Sequence, residues 1–207
     1  MVNILHIDSS PRGERSHSRE LSKEFVSAWK AAHPEDAIAY AYRDLGHHPV
    51  PHVDEAWIAA AFSPPETHTP ELTEALRISD ELVDEFLAAD RYVFGVPMYN
   101  FNIPSTFKAY IDQIVRINRT VALDAQGFKG LVQGKKAVII TARGGDFSAT
   151  SPFLAYDFQE PYLRAIFGFI GITDIQFINA NSLNEGDART QSLSEAKAAI
   201  QDAIAQW

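Results

Sequence analysis

Five short runs of β-branched and aromatic residues, apolar at nearly every position, constrain this chain more than any other feature of its sequence. They are Val2–Ile7, Ala37–Tyr42, Arg91–Val96, Ala137–Thr141 and Ile172–Ile178. A strand with one wet face alternates apolar and polar residues, whereas a strand covered on both faces does not, and the second pattern belongs to parallel sheets. Between these runs the period changes to that of helices. Leu21, Phe25, Trp29 and Ala32 recur at helical spacing after Ser18, and Leu72, Ala75, Ile78, Leu82 and Phe86 do so before Asp90. Phe107, Ile111 and Ile114 follow Pro104, and Leu193, Ala196, Ile200, Ile204 and Trp207 close the chain.

Strands alternating with helices require right-handed crossovers, which place helices on both faces of a parallel sheet. The expected fold is therefore an α/β three-layer sandwich of flavodoxin type, with a five-stranded parallel sheet in the order 2-1-3-4-5. At 207 residues the chain has the length of one domain spanning 1–207. Two stretches exceed what that scaffold needs: 46–70, rich in His and Pro, and 118–134, with a hairpin expected around Asp124–Gly127. Insertions of this kind are expected to add the walls of a pocket.

Charge and composition narrow the partners. Eighteen Lys and Arg against 27 Asp and Glu give a formal charge of −9, a field that repels nucleic-acid phosphates. Cys is absent, which excludes thiolate metal sites and thiol nucleophiles and suits a reducing compartment. The opening apolar run ends at Asp8 without a basic leader and no 18-residue apolar stretch follows, so the expected location is the cytoplasm, away from any membrane. His47, His48 and His52 lie close together but lack acidic companions at ligand spacing, and read as a solvated loop with no metal bound.

In an open parallel sheet ligands bind beyond the carboxyl ends of the strands, where the strand order reverses. Three loops qualify. After Ile7 comes Asp8-Ser9-Ser10-Pro11-Arg12-Gly13-Glu14-Arg15-Ser16-His17-Ser18, immediately before a helix. Hydroxyls and free N–H groups at a helix N-terminus suit a single phosphate, bound by Ser10, Ser16, His17 and Ser18; plain N-capping by Ser16 or Ser18 explains the same residues. The glycine fingerprints of dinucleotide and nucleoside-triphosphate loops are missing. After Val96 the sequence reads Pro97-Met98-Tyr99-Asn100-Phe101-Asn102-Ile103-Pro104, dense in apolar side chains where small polar ones are usual, as a flat ligand would require. Packing beneath an insertion loop is the competing reading. After Thr141, Ala142-Arg143-Gly144-Gly145-Asp146-Phe147 offers two glycines through which backbone can approach a ligand, or a simple turn.

Taken together these motifs resemble the FMN-dependent NADH-azoreductases, also described as quinone oxidoreductases, of the flavodoxin-like superfamily. The resemblance rests on the serine loop, the Pro97–Asn102 segment, Gly134-Lys135-Lys136-Ala137, Arg143-Gly144-Gly145 and Phe167-Gly168-Phe169-Ile170-Gly171-Ile172-Thr173. It implies a bound FMN, with its phosphate held by Ser10 and Ser16 to Ser18. Its ring would be held by Pro97, Met98, Tyr99, Asn100 and Phe101 and by Ala142, Arg143, Gly144, Gly145 and Phe147. It also implies NADH or NADPH as donor, a quinone or azo compound as acceptor, and a homodimer with active sites at the interface. No side chain is expected to act as a catalyst, because the flavin carries the chemistry. Two positions depart from the family pattern: Ala142 replaces the Ser common before Arg-Gly-Gly, and Phe147 replaces a polar ring. The aromatic stretch Phe153, Tyr156, Phe158, Tyr162 and Phe167 reads as core and dimer contact. The rivals from other classes are a flavodoxin-like electron carrier without a nicotinamide site and a flavin-sensing module without turnover.

Overall fold

The computed structural model describes residues 1–207. Five parallel strands, β1 (Val2–Asp8), β2 (Ile38–Asp44), β3 (Arg91–Pro97), β6 (Lys136–Ala142) and β7 (Asp174–Ala180), form one sheet in the order β2-β1-β3-β6-β7. Counting sheet strands alone, that is 2-1-3-4-5, the order expected of a flavodoxin-type sheet. Two short strands, β4 (Val121–Asp124) and β5 (Gly127–Gly130), pair as an antiparallel hairpin inside the second insertion.

There are six helices, α1 (His17–Ala32), α2 (Glu55–Ala61), α3 (Pro70–Ala88), α4 (Ser105–Ile114), α5 (Gln159–Ile170) and α6 (Gly186–Ile204); all but α2, which packs on α3, cover the sheet. Two of these were not expected. The short α2 lies in the first insertion, capped where the Asp54 carboxylate accepts from the Trp57 N–H at 2.8 Å. The stretch read as an undivided aromatic segment contains α5, whose Leu163, Phe167 and Ile170 form a buried stripe, ended by Gly171 in the left-handed conformation at φ 110°.

The pleat sends alternate residues of the central strands into two cores. On one face Leu5, Ile7, Tyr92, Phe94, Val96 and Ile139 pack under α3, α4 and α5; on the other Ile4, Val93, Val138, Ile140 and Ile178 pack under α1 and α6. Phe86, Tyr92, Phe94 and Phe167 run as a continuous stack with ring centroids 4.4, 5.7 and 4.9 Å apart. At the margin the expectation of double burial fails. In β2, Ala39 to Tyr42 are exposed, because β2 is an edge strand that α1 covers incompletely. The apolar character of that run serves pairing with β1, not burial.

The carboxyl end of β1 is polar on the α1 side, where His6 and Asp8 are each 2% exposed. Strand register sets Gly95 beside Asp8, and a Cβ on Gly95 would overlap the Asp8 carboxylate. Gly95 is thus the residue that lets a buried acid sit beneath the first loop. The hairpin lies at the other end of the molecule, after the C-terminus of α4, with Gly130 closely packed on Ile170 and Gly171.

Candidate functional site

Loops following β1, β3, β6 and β7 enclose a cleft of about 340 Å³ lined by Ser10, Arg12, Ser16, His17, Pro97, Met98, Tyr99, Ala142, Arg143, Gly144, Leu183, Asn184 and Arg189. A larger, open groove of about 880 Å³ runs along α1 and the β2 edge, lined by charged pairs such as Glu20, Glu24, Arg19 and Lys23. The smaller cleft is the better candidate, because residues with unused hydrogen-bond donors line it or adjoin it.

At the start of α1 the Ser16 hydroxyl caps the helix by accepting from the Arg19 N–H at 3.4 Å, and it lies 3.1 Å from the Ser18 hydroxyl. The N–H groups of His17 and Ser18 have no partner in the protein. The Nδ1 of His17 is likewise buried without one. Ser10, Ser16 and Ser18 are all buried. Three hydroxyls and two orphan N–H groups at the positive end of a helix fit a phosphate. Capping by Ser16 and phosphate binding therefore coexist.

The second loop is a tight turn. Tyr99 donates its N–H to the Asn102 carbonyl at 2.8 Å and Asn102 donates back at 3.0 Å, with Asn100 at φ 47° and Phe101 at φ 69° between them. Positive φ at both central residues is the mark of a type I′ turn, which Asn tolerates and a bulky Phe does not. The strain on Phe101 is about 1–2 kcal/mol. Held this way, the N–H groups of Asn100 and Phe101 have no partner in the protein. Phe101 stacks on Tyr156 at 5.3 Å and stands 6.2 Å from Phe147, which is buried.

In the third loop the carbonyls of Arg143, Gly144 and Gly145 accept from Leu183, Asn184 and Ser182 at 3.0, 3.1 and 2.9 Å, tying the loop to the segment after β7. The N–H groups of Gly144 and Gly145 remain without partners. Gly144 packs closely on the Asn184 side chain, which a Cβ at this position would displace.

Two guanidinium groups, Arg143 buried and Arg19 partly buried, hold these loops. Arg19 donates from Nε to the Ser10 carbonyl at 2.7 Å and from its terminal nitrogens to Tyr42 and to both carboxylate oxygens of Asp44. Burial alone would pull Arg19 down, but its hydrogen bond to Asp44 and the neighbouring charges of Tyr42, Asp8 and Asp44 raise it. Burial acts on Asp44 in the opposite sense, and hydrogen bonds from Arg19 and His47 hold its carboxyl well below the usual range. Burial and the charge of Asp8 push Tyr40 up to about 12. The second group, Arg143, is 1% exposed, pairs with Asp157 at 3.0 Å and donates to the Gln159 side chain at 3.1 Å. Gln159 in turn donates to the Val96 carbonyl at 3.1 Å, and Asp157 accepts the first N–H groups of α5. Burial draws Arg143 downward and the charges of Asp157 and Glu160 oppose it.

Of the residues singled out in sequence, Ser10, Ser16, His17, Pro97, Met98, Tyr99, Ala142, Arg143 and Gly144 line the cleft. Arg143 does so with its backbone, its side chain being committed to Asp157. Ser18 lies behind Ser16, and Asn100 lines a second hollow with Tyr99 on the outer side of the turn. Phe101, Gly145 and Phe147 stand beside the cleft without lining it. The insertions do not wall it, since no residue of 46–70 or 118–134 lines it. Arg12, Leu183, Asn184 and Arg189 were missed, although the polar run Asn179-Ala180-Asn181-Ser182 marks the loop after β7 as a fourth wall.

Comparison with known proteins is consistent with this geometry. The model of the family described as flavodoxin-like fold matches residues 2–204. The FMN-dependent NADH:quinone oxidoreductase of Nostoc punctiforme is 92% identical over 207 residues, covering 100% of each chain. Among solved structures, an azoreductase from Bacillus anthracis strain Sterne superposes with a TM-score of 0.91 at 26% identity over 100% of both chains. An FMN-dependent NADH-azoreductase from Bacillus anthracis in complex with FMN gives a TM-score of 0.87 at 26% identity, covering 99% of this chain and 98% of that one.

Asp44→Asn removes the anion that holds Arg19. It is expected to cost about 2 kcal/mol at neutral pH, a fall in Tm of about 4–8 °C by calorimetry. Because the native carboxyl is depressed, its contribution is complete above the unfolded value of about 4 and is lost as pH falls through the native one, so the gap between Asp44→Asn and the parent closes in acid. At Phe101 the usual order of helix and loop substitutions reverses: Phe101→Gly relieves the positive φ and is expected to be more stable than Phe101→Ala by about 1 kcal/mol in urea titration. Equal or inverted stabilities contradict the strained turn.

Proposed function

Because this chain belongs to the FMN-dependent NADH:quinone oxidoreductase family of the flavodoxin-like fold, we propose that the cleft holds FMN and that the protein reduces quinones and aromatic azo compounds with NADH. The observation that carries the site assignment is that orphan N–H groups from three loops lie on and around one cleft, those of His17 and Gly144 on residues that line it and those of Ser18, Asn100, Phe101 and Gly145 on residues next to them. His17 and Ser18 offer theirs at the phosphate end, with the hydroxyls of Ser10, Ser16 and Ser18. Asn100 and Phe101 offer theirs to the edge of the ring, and Gly144 and Gly145 to its pyrimidine end.

Bound FMN supplies the two-electron relay between donor and acceptor, a chemistry no amino-acid side chain provides. The protein's part is position, electrostatics and exclusion of water. Preorganised N–H donors of Gly144 and Gly145 favour negative charge developing at the pyrimidine end, and the buried Arg143–Asp157 pair keeps that loop fixed. The departures at Ala142 and Phe147 leave this duty to backbone groups, with no side-chain hydroxyl or imidazole to assist. Met98, Tyr99 and Phe101 present apolar surface on which flat rings stack. NADH and a proton convert one quinone to its hydroquinone; an azo bond needs twice the electrons and consumes two NADH to yield two amines. A single open ring face serves donor and acceptor in turn, hence ping-pong kinetics. The same cleft reading disfavours a one-electron carrier, whose ring edge would serve a protein partner.

The partner reading is a homodimer that closes the cleft from outside. Phe101, Phe153, Leu154, Tyr156 and Phe158 stand exposed at the rim, and Leu123, Phe128 and Phe169 are exposed around the hairpin. Two such apolar groups on one chain meet each other across a two-fold axis. The working compartment is the cytoplasm, where NADH is regenerated; no helix is long and apolar enough to cross a membrane.

The direct test mixes the yellow protein with NADH without oxygen. Rapid loss of the flavin absorption band, restored by one equivalent of quinone, is expected; a band unchanged over minutes removes the enzyme and leaves the carrier. Light scattering should return twice the mass of the chain, and a single-chain mass rules out the shared cleft.

A further inference from the structure

We propose that Arg12 and Arg189 are specificity residues for the cofactor's phosphate, the pair that makes this cleft select FMN over riboflavin; the proposal rests on the FMN reading above. A phosphate monoester carries close to two negative charges at neutral pH, and the hydroxyls and main-chain N–H groups of the serine loop are neutral donors. The guanidinium of Arg19, just after that loop, is committed: it serves the Ser10 carbonyl, Tyr42 and Asp44. A second, Arg143, is locked to Asp157. The side chain of His17 lies 3.7 Å from the Glu20 carboxylate. Beneath the loop sits the buried carboxylate of Asp8, which repels a phosphate.

Neutralisation therefore falls to Arg12, from the first loop, and Arg189, from the first turn of α6. Both line the same cleft as Ser10, Ser16 and His17. Most Lys and Arg of this acidic chain are paired, yet neither of these guanidinium groups has a carboxylate oxygen within 4.0 Å. Glu14, Glu185 and Asp187 are their acidic neighbours in sequence, and none of the three lines the cleft. Two exposed, unpaired cations lining one cleft, in a protein of net charge −9, are placed to take an anion between them. A planar fork of donors suits phosphate oxygens.

The test compares FMN with riboflavin, which lacks the phosphate, by quenching of flavin fluorescence on the reconstituted full chain and on Arg12→Gln, Arg189→Gln, the double variant and the two Lys replacements. Each Gln variant is expected to weaken FMN about tenfold while riboflavin moves by less than about twofold, and Lys restores most of the loss. The parent's preference for FMN should shrink between roughly 0.05 and 0.5 M salt and the double variant's should not. Equal losses for both flavins mean a disturbed loop and overturn the proposal. So does unchanged FMN affinity with a raised KM for NADH or NADPH, which assigns the arginines to the donor's phosphates. A parent chain that binds neither flavin defeats the FMN reading itself, an outcome separate from failure of the arginine pair alone.

Discussion

Everything at the carboxyl end of the sheet depends on two cations that fix backbone, Arg143 fully buried and Arg19 partly so. Arg19 ties the first loop to β2 through the Ser10 carbonyl and Asp44, and Arg143 ties the third loop to α5 through Asp157 and Gln159. A guanidinium is costly to bury and is tolerated here because each has a carboxylate and further acceptors in fixed geometry. With the loops held by side chains, their main-chain N–H groups are left unspent. A loop that satisfied its own donors would be more stable and would bind nothing.

The second loop reaches the same end by a different route. It has no buried ion pair, and instead a two-residue turn with positive φ at Asn100 and Phe101 turns both N–H groups outward. The stack of Phe101 on Tyr156 and the hydrogen bond from Phe158 to the Phe101 carbonyl, at 3.1 Å, hold the strained residue in place. Strain and orphaned donors thus coincide at one turn, at the point where the strand order reverses. The resulting division of labour is plain: polar clamps orient donors at the two ends of a flat ligand, and a strained apolar turn grips its edge.

Much of this was legible in the residues. Non-alternating runs gave a parallel sheet, and helical periods gave the layers, because burial on both faces leaves its signature in every strand residue. Edge strand β2 misled in burial because an apolar run carries no mark of its place in the sheet. Helix α5 hid behind its aromatic residues, although Leu163, Phe167 and Ile170 repeat at its period. The serine loop and the Met-Tyr-Asn-Phe turn were visible as compositional oddities at strand ends. What no single sequence displays is register: that Gly95 faces Asp8, that Arg143 turns away from the cleft toward Asp157, or that Asn184 closes on Gly144, all depend on how strands and loops distant in sequence are set side by side. The placement of the hairpin away from the cleft likewise follows from topology and from no local pattern.

The claim at the centre is that unpartnered amides of three loops are the donors that receive the flavin. Assigned amide resonances of the isotopically labelled chain, followed as FMN is added, address it directly. The account predicts that His17, Ser18, Asn100, Phe101, Gly144 and Gly145 shift most and saturate together at one equivalent. Largest shifts along the open groove instead, at Lys23, Ser27 and Tyr40, with the six amides unmoved, would contradict it.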